Sequence, residues 1–313
     1  MLQNFVTQDD PLNLDNIRAT LTRLEDTIIF ALIERAQFAL NPRMYERGAF
    51  KELVEQGFDG TWLEWFLQET ETFHAKARRY TSPDEHPFTK NLPDPIIPPL
   101  SIPHILHPNN INANPSILSF YTRAIVPLVT RHATRELASL KRSHGKNGPE
   151  EFEDDGNYGS AAIADVSVLQ VISRRVHYGK FVSESKFRSD PASFVPHILK
   201  PNPAALEALI TKPAVERALL ARIGKKTSIY GPELGPDGEL PARGSIDGNQ
   251  DGKGETNVGK WRVDVESVRE LYESWIIPLT KEVEVEYLLH RLDDMSDVEI
   301  ADLLESKDVA IKA

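Results

Sequence analysis

Between Asn13 and Ala39 the apolar residues Leu21, Leu24, Ile28, Leu32 and Ile33 follow one another at steps of three and four. That spacing gathers side chains on one face of a helix and would scatter them over both faces of a strand. Asn13 or Asp15 can cap the free amides of the first turn. Asn41-Pro42 stops the pattern, so about seven helical turns are expected. The same signature returns along the chain. Trp62 to Tyr80 predicts a helix with Trp65, Phe66, Thr72 and Phe73 on its apolar side, and Ser116 to about Ala133 predicts another despite Pro127. Ser160 to Phe187 is the longest periodic run, carried by Ile163, Val166, Leu169, Val171, Ile172, Val176, Phe181 and Val182; its interior Gly179 costs a helix roughly 1 kcal/mol. Short helices are expected over 203–210 and 213–224, and a last long one from Val263 to Asp294, kinked at Pro278. Hardly any segment reads as a strand. The fold expected is all-α, a single-domain multi-helix bundle with long helices.

Two stretches break the pattern. Residues 141–156 are charged and contain glycine, and residues 231–260 hold many glycines without a large apolar cluster; both are expected as flexible loops within a domain spanning 1–294, followed by a C-terminal tail over 295–313. The glycine-rich insertion is no phosphate cradle, since no strand precedes it and no Gly-Lys-Ser/Thr follows. A formal net charge of -11 argues against nucleic acid or an anionic membrane as partner. The chain has no cysteine, which removes disulfides, thiolate zinc sites and cysteine nucleophiles. Its first residues lack a basic region with an apolar run and carry acidic residues, and no uncharged apolar stretch approaches the roughly 20 residues that span a bilayer. A cytoplasmic protein is expected.

Several charged residues intrude near the apolar stripes. In Thr280-Lys-Glu-Val-Glu284 the strand-like alternation sits inside a helical pattern, so Thr280 and Glu284 stack one turn apart on one face. Arg175 and Lys186 lie three turns apart on the long helix, Arg18 sits early in the first helix, and Glu216 follows Lys212 at i+4. Taken singly, each is most simply a solvated surface charge. A di-metal bundle would need two Glu-x-x-His motifs, and only Glu71-Thr-Phe-His74 is present. No Gly-x-Ser-x-Gly elbow occurs. Neither a metal nor any other cofactor is expected.

Four long stretches and one short one give these residues a context: NLDNIRATLTRLEDTIIFALIERAQF, HAKARRYTSPDEHPF, GNYGSAAIADVSVLQVISRRVHYGKFVSESKF, IIPLTKEVEVEYLLHRL and TKPAVERALL. With the four long stretches in this order and the short one between the last two, over most of residues 12–294, the chain resembles a fungal-type chorismate mutase, the all-helical, allosterically regulated form. The resemblance implies an isomerase that converts chorismate to prephenate on the route to phenylalanine and tyrosine. It implies a homodimer with a helical interface and an active site inside each chain's bundle. Arg18 and Arg175 match arginines that hold substrate carboxylates, Lys186 a lysine that reaches a carboxylate and the ether oxygen, and Glu216 a glutamate that accepts the substrate hydroxyl. Thr280 matches a threonine assisting a carboxylate, and Glu284 a glutamate addressing the ether oxygen from the side opposite the lysine. Lys212 replaces an asparagine and is expected to act through its backbone amide. Tyrosine as inhibitor and tryptophan as activator are implied at an interface site matching Arg78 and Arg79, with Asn157, Gly159 and Ser160 opposite; Glu25 and Asp26 could take an ammonium group. Asp264 stands at a threonine position tied to switching.

An ionised carboxylate only accepts hydrogen bonds, so Glu284 helps a breaking C–O bond only when protonated. Burial would raise its pKa and Lys186 would lower it. A catalytically inactive homologue serving as a regulatory or binding partner remains an alternative, as does an unrelated helical scaffold. They are separated by whether Arg18, Arg175, Lys186, Glu216 and Glu284 converge in one cavity of a single chain.

Overall fold

Asn13 opens the first helix as expected. Its side-chain oxygen accepts from the backbone amides of Asp15 and Asn16, and α1 runs over Leu14–Arg35. The computed structural model describes Phe5 and residues 10–145, 153–233 and 261–305. α1 ends a turn before the expected Ala39. The buried Arg35 guanidinium donates to the carbonyls of Phe38, Ala39 and Leu40, which stabilises a turn there instead of further helix.

α2 is short, Lys51–Glu55. α3, Trp62–Lys76, begins at a reciprocal cap between Thr61 and Glu64. Its inner face is Leu63, Leu67, Glu71 and Ala75, not the Trp65–Phe73 side predicted, and Phe73 is 69% exposed. The hidden Glu71 carboxylate decides the phase, because it accepts from the amides of Phe88 and Thr89 and pins the following connection.

The expected Ser116–Ala133 helix is a composite. α4, Asn114–Phe120, passes through a π-helical turn at Tyr121–Ile125 into α5, Val126–Val129, and α6 follows over Arg131–Ser143. A proline ring collides with the carbonyl four residues back and offers no N–H; the wider turn just before Pro127 absorbs both. α6 enters the segment expected as a loop. On its far side Asp155 is anchored, its carboxylate accepting from the Ala39 amide and the Asn41 side chain, while 146–152 lies outside the described residues.

The long central run is two helices, α7 at Tyr158–His177 and α8 at Gly179–Ser189, with Tyr178 between them. α9 at Pro191–Leu199 was not anticipated; α10 spans Pro203–Ile210 and α11 Pro213–Tyr230. The insertion expected over 231–260 is described only at 231–233, where Pro232 bridges to Trp261. α12 spans Val265–Leu271, a second π-helical turn Tyr272–Ile276 precedes Pro278, and α13 spans Ile277–Leu289. The tail begins with a further helix, α14, at Asp297–Glu305.

α1 lies along α7 and α8 along α13. Ile28, Leu32, Val168, Ile172, Leu271 and Val283 belong to the main core, where they are at most 1% exposed. α1 and α7 are cross-linked inside that core. Arg35 Nε lies 2.5 Å from Asp165 Oδ1 with both side chains fully buried, and the hydroxyls of Tyr45 and Tyr121 donate to the same carboxylate. Such a pair is retained at a desolvation cost and fixes the register of the two helices. A second cluster, including Phe187, Ile210, Leu288 and Leu292, is covered by Met295, Ile300 and Leu303 of the tail. Among the described residues no helix is long and apolar enough to cross a membrane.

Candidate active site

Where α1, α7, α8, α11 and α13 meet, they enclose a cavity of about 410 Å³. Arg18, Arg175, Lys186, Lys212, Glu216, Thr280 and Glu284 all stand on its wall. Residues 266 positions apart in sequence are thus brought together within one chain, by the packing of α1 on α7 and of α8 on α13 (284 − 18 = 266).

Helical phase explains each placement. Thr280 and Glu284, one turn apart on α13, are both 8% exposed. They approach α8 at Gly179, where a Cβ would stand 2.8 Å from Glu284 Cγ and 3.0 Å from Thr280 Cγ2. The glycine read as a helix weakness is therefore what lets α13 reach the site. Thr280 Oγ1 donates to the Ile276 carbonyl at 2.6 Å and accepts from Arg175 Nη1 at 3.4 Å. Arg175 is 5% exposed, and its Nε has no hydrogen-bond partner. Lys186 Nζ donates to the Ile210 carbonyl across the cavity wall. Arg18 is half-exposed and pairs with Asp15 at 2.9 Å.

The electrostatics follow the expected competition. Burial pushes the Glu284 carboxyl up to about 7, although the charges of Lys186, Arg175 and Lys281 pull it down. Lys186 is held below its ordinary value, first by burial and further by Lys212 and Arg18, with Glu284 opposing. A proton at Glu284 is thus available near neutrality, facing a lysine that donates. Among the described residues no cluster of His, Asp or Glu could hold a metal ion.

Sequence reasoning missed Lys281 and Arg222 on the same wall and assigned a third wall residue, Glu25, to a different site. Lys281 Nζ lies 2.8 Å from Glu216 Oε1, so the glutamate matched to the substrate hydroxyl is held by a cation; the position next to Thr280 was the available signal. Glu25 corrects an expectation. It is 1% exposed, bound by Arg222 through both oxygens at 2.8 and 2.6 Å, with Lys226 Nζ at 3.1 Å. Asp26 pairs with Lys226 at 2.8 Å. Glu25 is thus enclosed by the α11 cations and is not open to an ammonium group, while Asp26 keeps a part-exposed carboxylate beside Lys226.

The remaining residues expected at an effector site form two separate groups. Arg78, in the left-handed region at φ 58, donates to the Pro98 carbonyl. Arg79 reaches Glu85 and Gln170, the latter at 2.8 Å. Asn157, Gly159 and Ser160 are exposed at the start of α7, about 15 Å along the helix from Gln170. The described chain does not bring these groups together. Asp264 caps α12, its carboxylate accepting from the amide and hydroxyl of Ser267 at 2.9 Å each; a threonine could fill the same capping role.

No family model matches the chain. It is 38% identical over 284 residues to the chorismate mutase of Schizosaccharomyces pombe, a match covering 91% of this chain and 98% of that protein. It is similar to the crystal structure of the Candida albicans chorismate mutase Aro7p in complex with L-Trp, at a TM-score of 0.77 and 38% identity, covering 96% of this chain and 99% of that one. A structure of AtCM1 with tyrosine bound in its allosteric site gives a TM-score of 0.69 at 40% identity, over 91% of this chain and 99% of that one.

Proposed function

This chain belongs to the chorismate mutase family, and we propose that its cavity converts chorismate to prephenate for phenylalanine and tyrosine synthesis, with the side chains of Arg18, Arg175, Lys186, Glu216, Thr280 and Glu284 performing the reaction. The observation that carries this reading is their convergence in one cavity of one chain.

The reaction is a concerted [3,3] shift in which a C–O bond breaks while a C–C bond forms, so neither a nucleophile nor a net proton transfer is needed. The site has to fold a flexible dianion and stabilise the charge that develops on the ether oxygen. Arginine forks suit the first task, since they grip a carboxylate through paired hydrogen bonds and fix its direction. Arg175 is suited to it: its guanidinium is steadied by Thr280 and retains unpartnered donor capacity. Holding the reacting atoms in near-attack geometry supplies part of the rate. For the second task, donors aimed at the ether oxygen strengthen as the bond breaks and so lower the barrier. Lys186 and protonated Glu284 fill that role. Glu216, held by Lys281, accepts the substrate hydroxyl.

Regulation belongs to the same proposal, with tyrosine inhibiting and tryptophan activating at a site made by Arg78 and Arg79 of one protomer and Asn157, Gly159 and Ser160 of the other. The separation of these groups within one chain supports a homodimer. So do Phe73 on α3 and Ile163 on α7, apolar side chains 69% and 60% exposed. A cytosolic location completes the reading and is checked by fractionation. The central test is a chorismate-depletion assay on purified protein, alone, with tyrosine and with tryptophan. Prephenate formation slowed by tyrosine and accelerated by tryptophan is expected; absence of turnover under all three conditions overturns the proposal.

A further inference from the structure

Lys212 stands where its charge is unwelcome. It occupies the N-cap position of α11, with Pro213 next, and its side chain makes no capping hydrogen bond. A helix N-terminus carries partial positive charge, so a cation there is repelled, whereas an asparagine there would be a favoured cap. The surroundings add to the repulsion. Lys212 lines the cavity beside Arg18 and Lys186, and its charge is among those that hold the Lys186 amine down.

Three other charged groups on this wall are already matched. Glu25 is taken by Arg222, Glu216 by Lys281, and Arg18 by Asp15. Among the described residues no ion pair is recorded for Lys212. A residue that breaks local preference in this way is tolerated where a ligand compensates it. Here the ligand must be anionic and must reach the cavity mouth, since Lys212 is exposed while it lines the wall.

We propose that the Lys212 ammonium is a substrate-binding group of this cavity: at its rim it draws the dianion in and takes one of its carboxylates. This rests on the chorismate-to-prephenate reading and adds a side-chain role to a position expected to act through its main chain. The role has particular value in a chain of net charge -11, whose overall field repels a dianion and whose approach path therefore needs a local positive focus.

The test compares wild type, Lys212→Asn and Lys212→Arg by steady-state kinetics with chorismate from about 20 to 300 mM salt, a range over which exposed charges are progressively screened. For Lys212→Asn the expected result is a KM raised about tenfold with kcat within about twofold, the pattern of an interaction made equally in the ground and transition states. Its kcat/KM should also depend less on salt than that of wild type. Lys212→Arg keeps the charge and should restore both. A KM and salt dependence unchanged in Lys212→Asn overturn the proposal and leave the main-chain role. Equal impairment of both variants overturns it as well, because charge is then not what matters. Wild type that leaves chorismate untouched overturns the functional reading and this one together, whereas active wild type beside an unimpaired Lys212→Asn overturns this one alone.

Discussion

Glu284 shows how a single carboxyl is tuned by opposing effects. Burial moves it to about 7 against the pull of Lys186 and Arg175, so protonation, and with it donor capacity toward the ether oxygen, increases as the pH falls through neutrality. Turnover should rise from pH 8 to pH 6. A Glu284→Gln enzyme, permanently a donor, should show a flat profile over the same range. Glu284→Ala, which leaves no donor, should lose about 3 kcal/mol of transition-state stabilisation, read as a fall in kcat at pH 6. A Glu284→Gln profile that still rises toward acid would refute this assignment. Helical phase alone pairs Thr280 with Glu284 in the sequence, whereas the role expected of Glu284 came from the family resemblance. The Lys281–Glu216 ion pair was not legible, because i to i+4 logic describes one helix and this bond joins α13 to α11.

At the scale of elements, the apolar period gave helix positions well and helix ends poorly. The break at Tyr178 was hidden because the stripe continues across it; the signal was Gly179, whose missing side chain admits Glu284 and Thr280. Gly179→Ala should accordingly force α13 outward by a fraction of an ångström. A misplacement on that scale can cost up to about 100-fold in rate, so kcat should fall at least tenfold while the helical circular dichroism signal is retained. The predicted apolar side of α3 was wrong for a related reason, since a hydrogen-bonded glutamate outranked aromatic residues for the interior. α14 was invisible as part of the fold because its contacts are made with elements far back in the chain. Met295, Ile300 and Leu303 cover the cluster that contains Phe187, Ile210 and Leu288. Ending the chain after Asp294 would expose that cluster and cost about 2 kcal/mol after the ordering entropy of the helix is offset. The expected readout is a lower urea midpoint; an unchanged midpoint would mean that α14 contributes nothing to the fold.

Across the whole molecule, one buried cluster makes the fold acid-sensitive. The His86 and His177 rings stack 4.0 Å apart, tying the long connection between α3 and α4 to the end of α7. His177 Nε2 accepts from the Ala113 amide, and Lys180 Nζ lies 3.1 Å from His86 Nε2, so each ring is held neutral by a neighbouring donor. Burial and the nearby cations lower His86 to about 2 and His177 to about 3. Unfolded, both would take up protons near pH 6.5. The unfolded state therefore binds more protons below that pH, and this pair makes stability fall as the pH drops from about 6.5. Lys180, lowered to about 8, stays charged through this range and adds no slope. Glu284, raised above its ordinary value, acts in the opposite sense. Wild type should lose more of its urea stability between pH 7.5 and pH 5.5 than His86→Gln does, and equal losses would remove the pair from the account. The same acid that improves the donor at Glu284 thus weakens the scaffold that holds it.

The groups of the cavity wall, from Arg18 on α1 to Glu284 on α13, all come from one polypeptide. That arrangement has a genetic consequence. In a cell with two alleles, a chain inactivated at Arg175 or Glu284 silences only its own cavity, even when paired with an intact copy. Such mutations should behave as recessive. Dominant loss of activity would instead point to changes at the faces of the proposed homodimer.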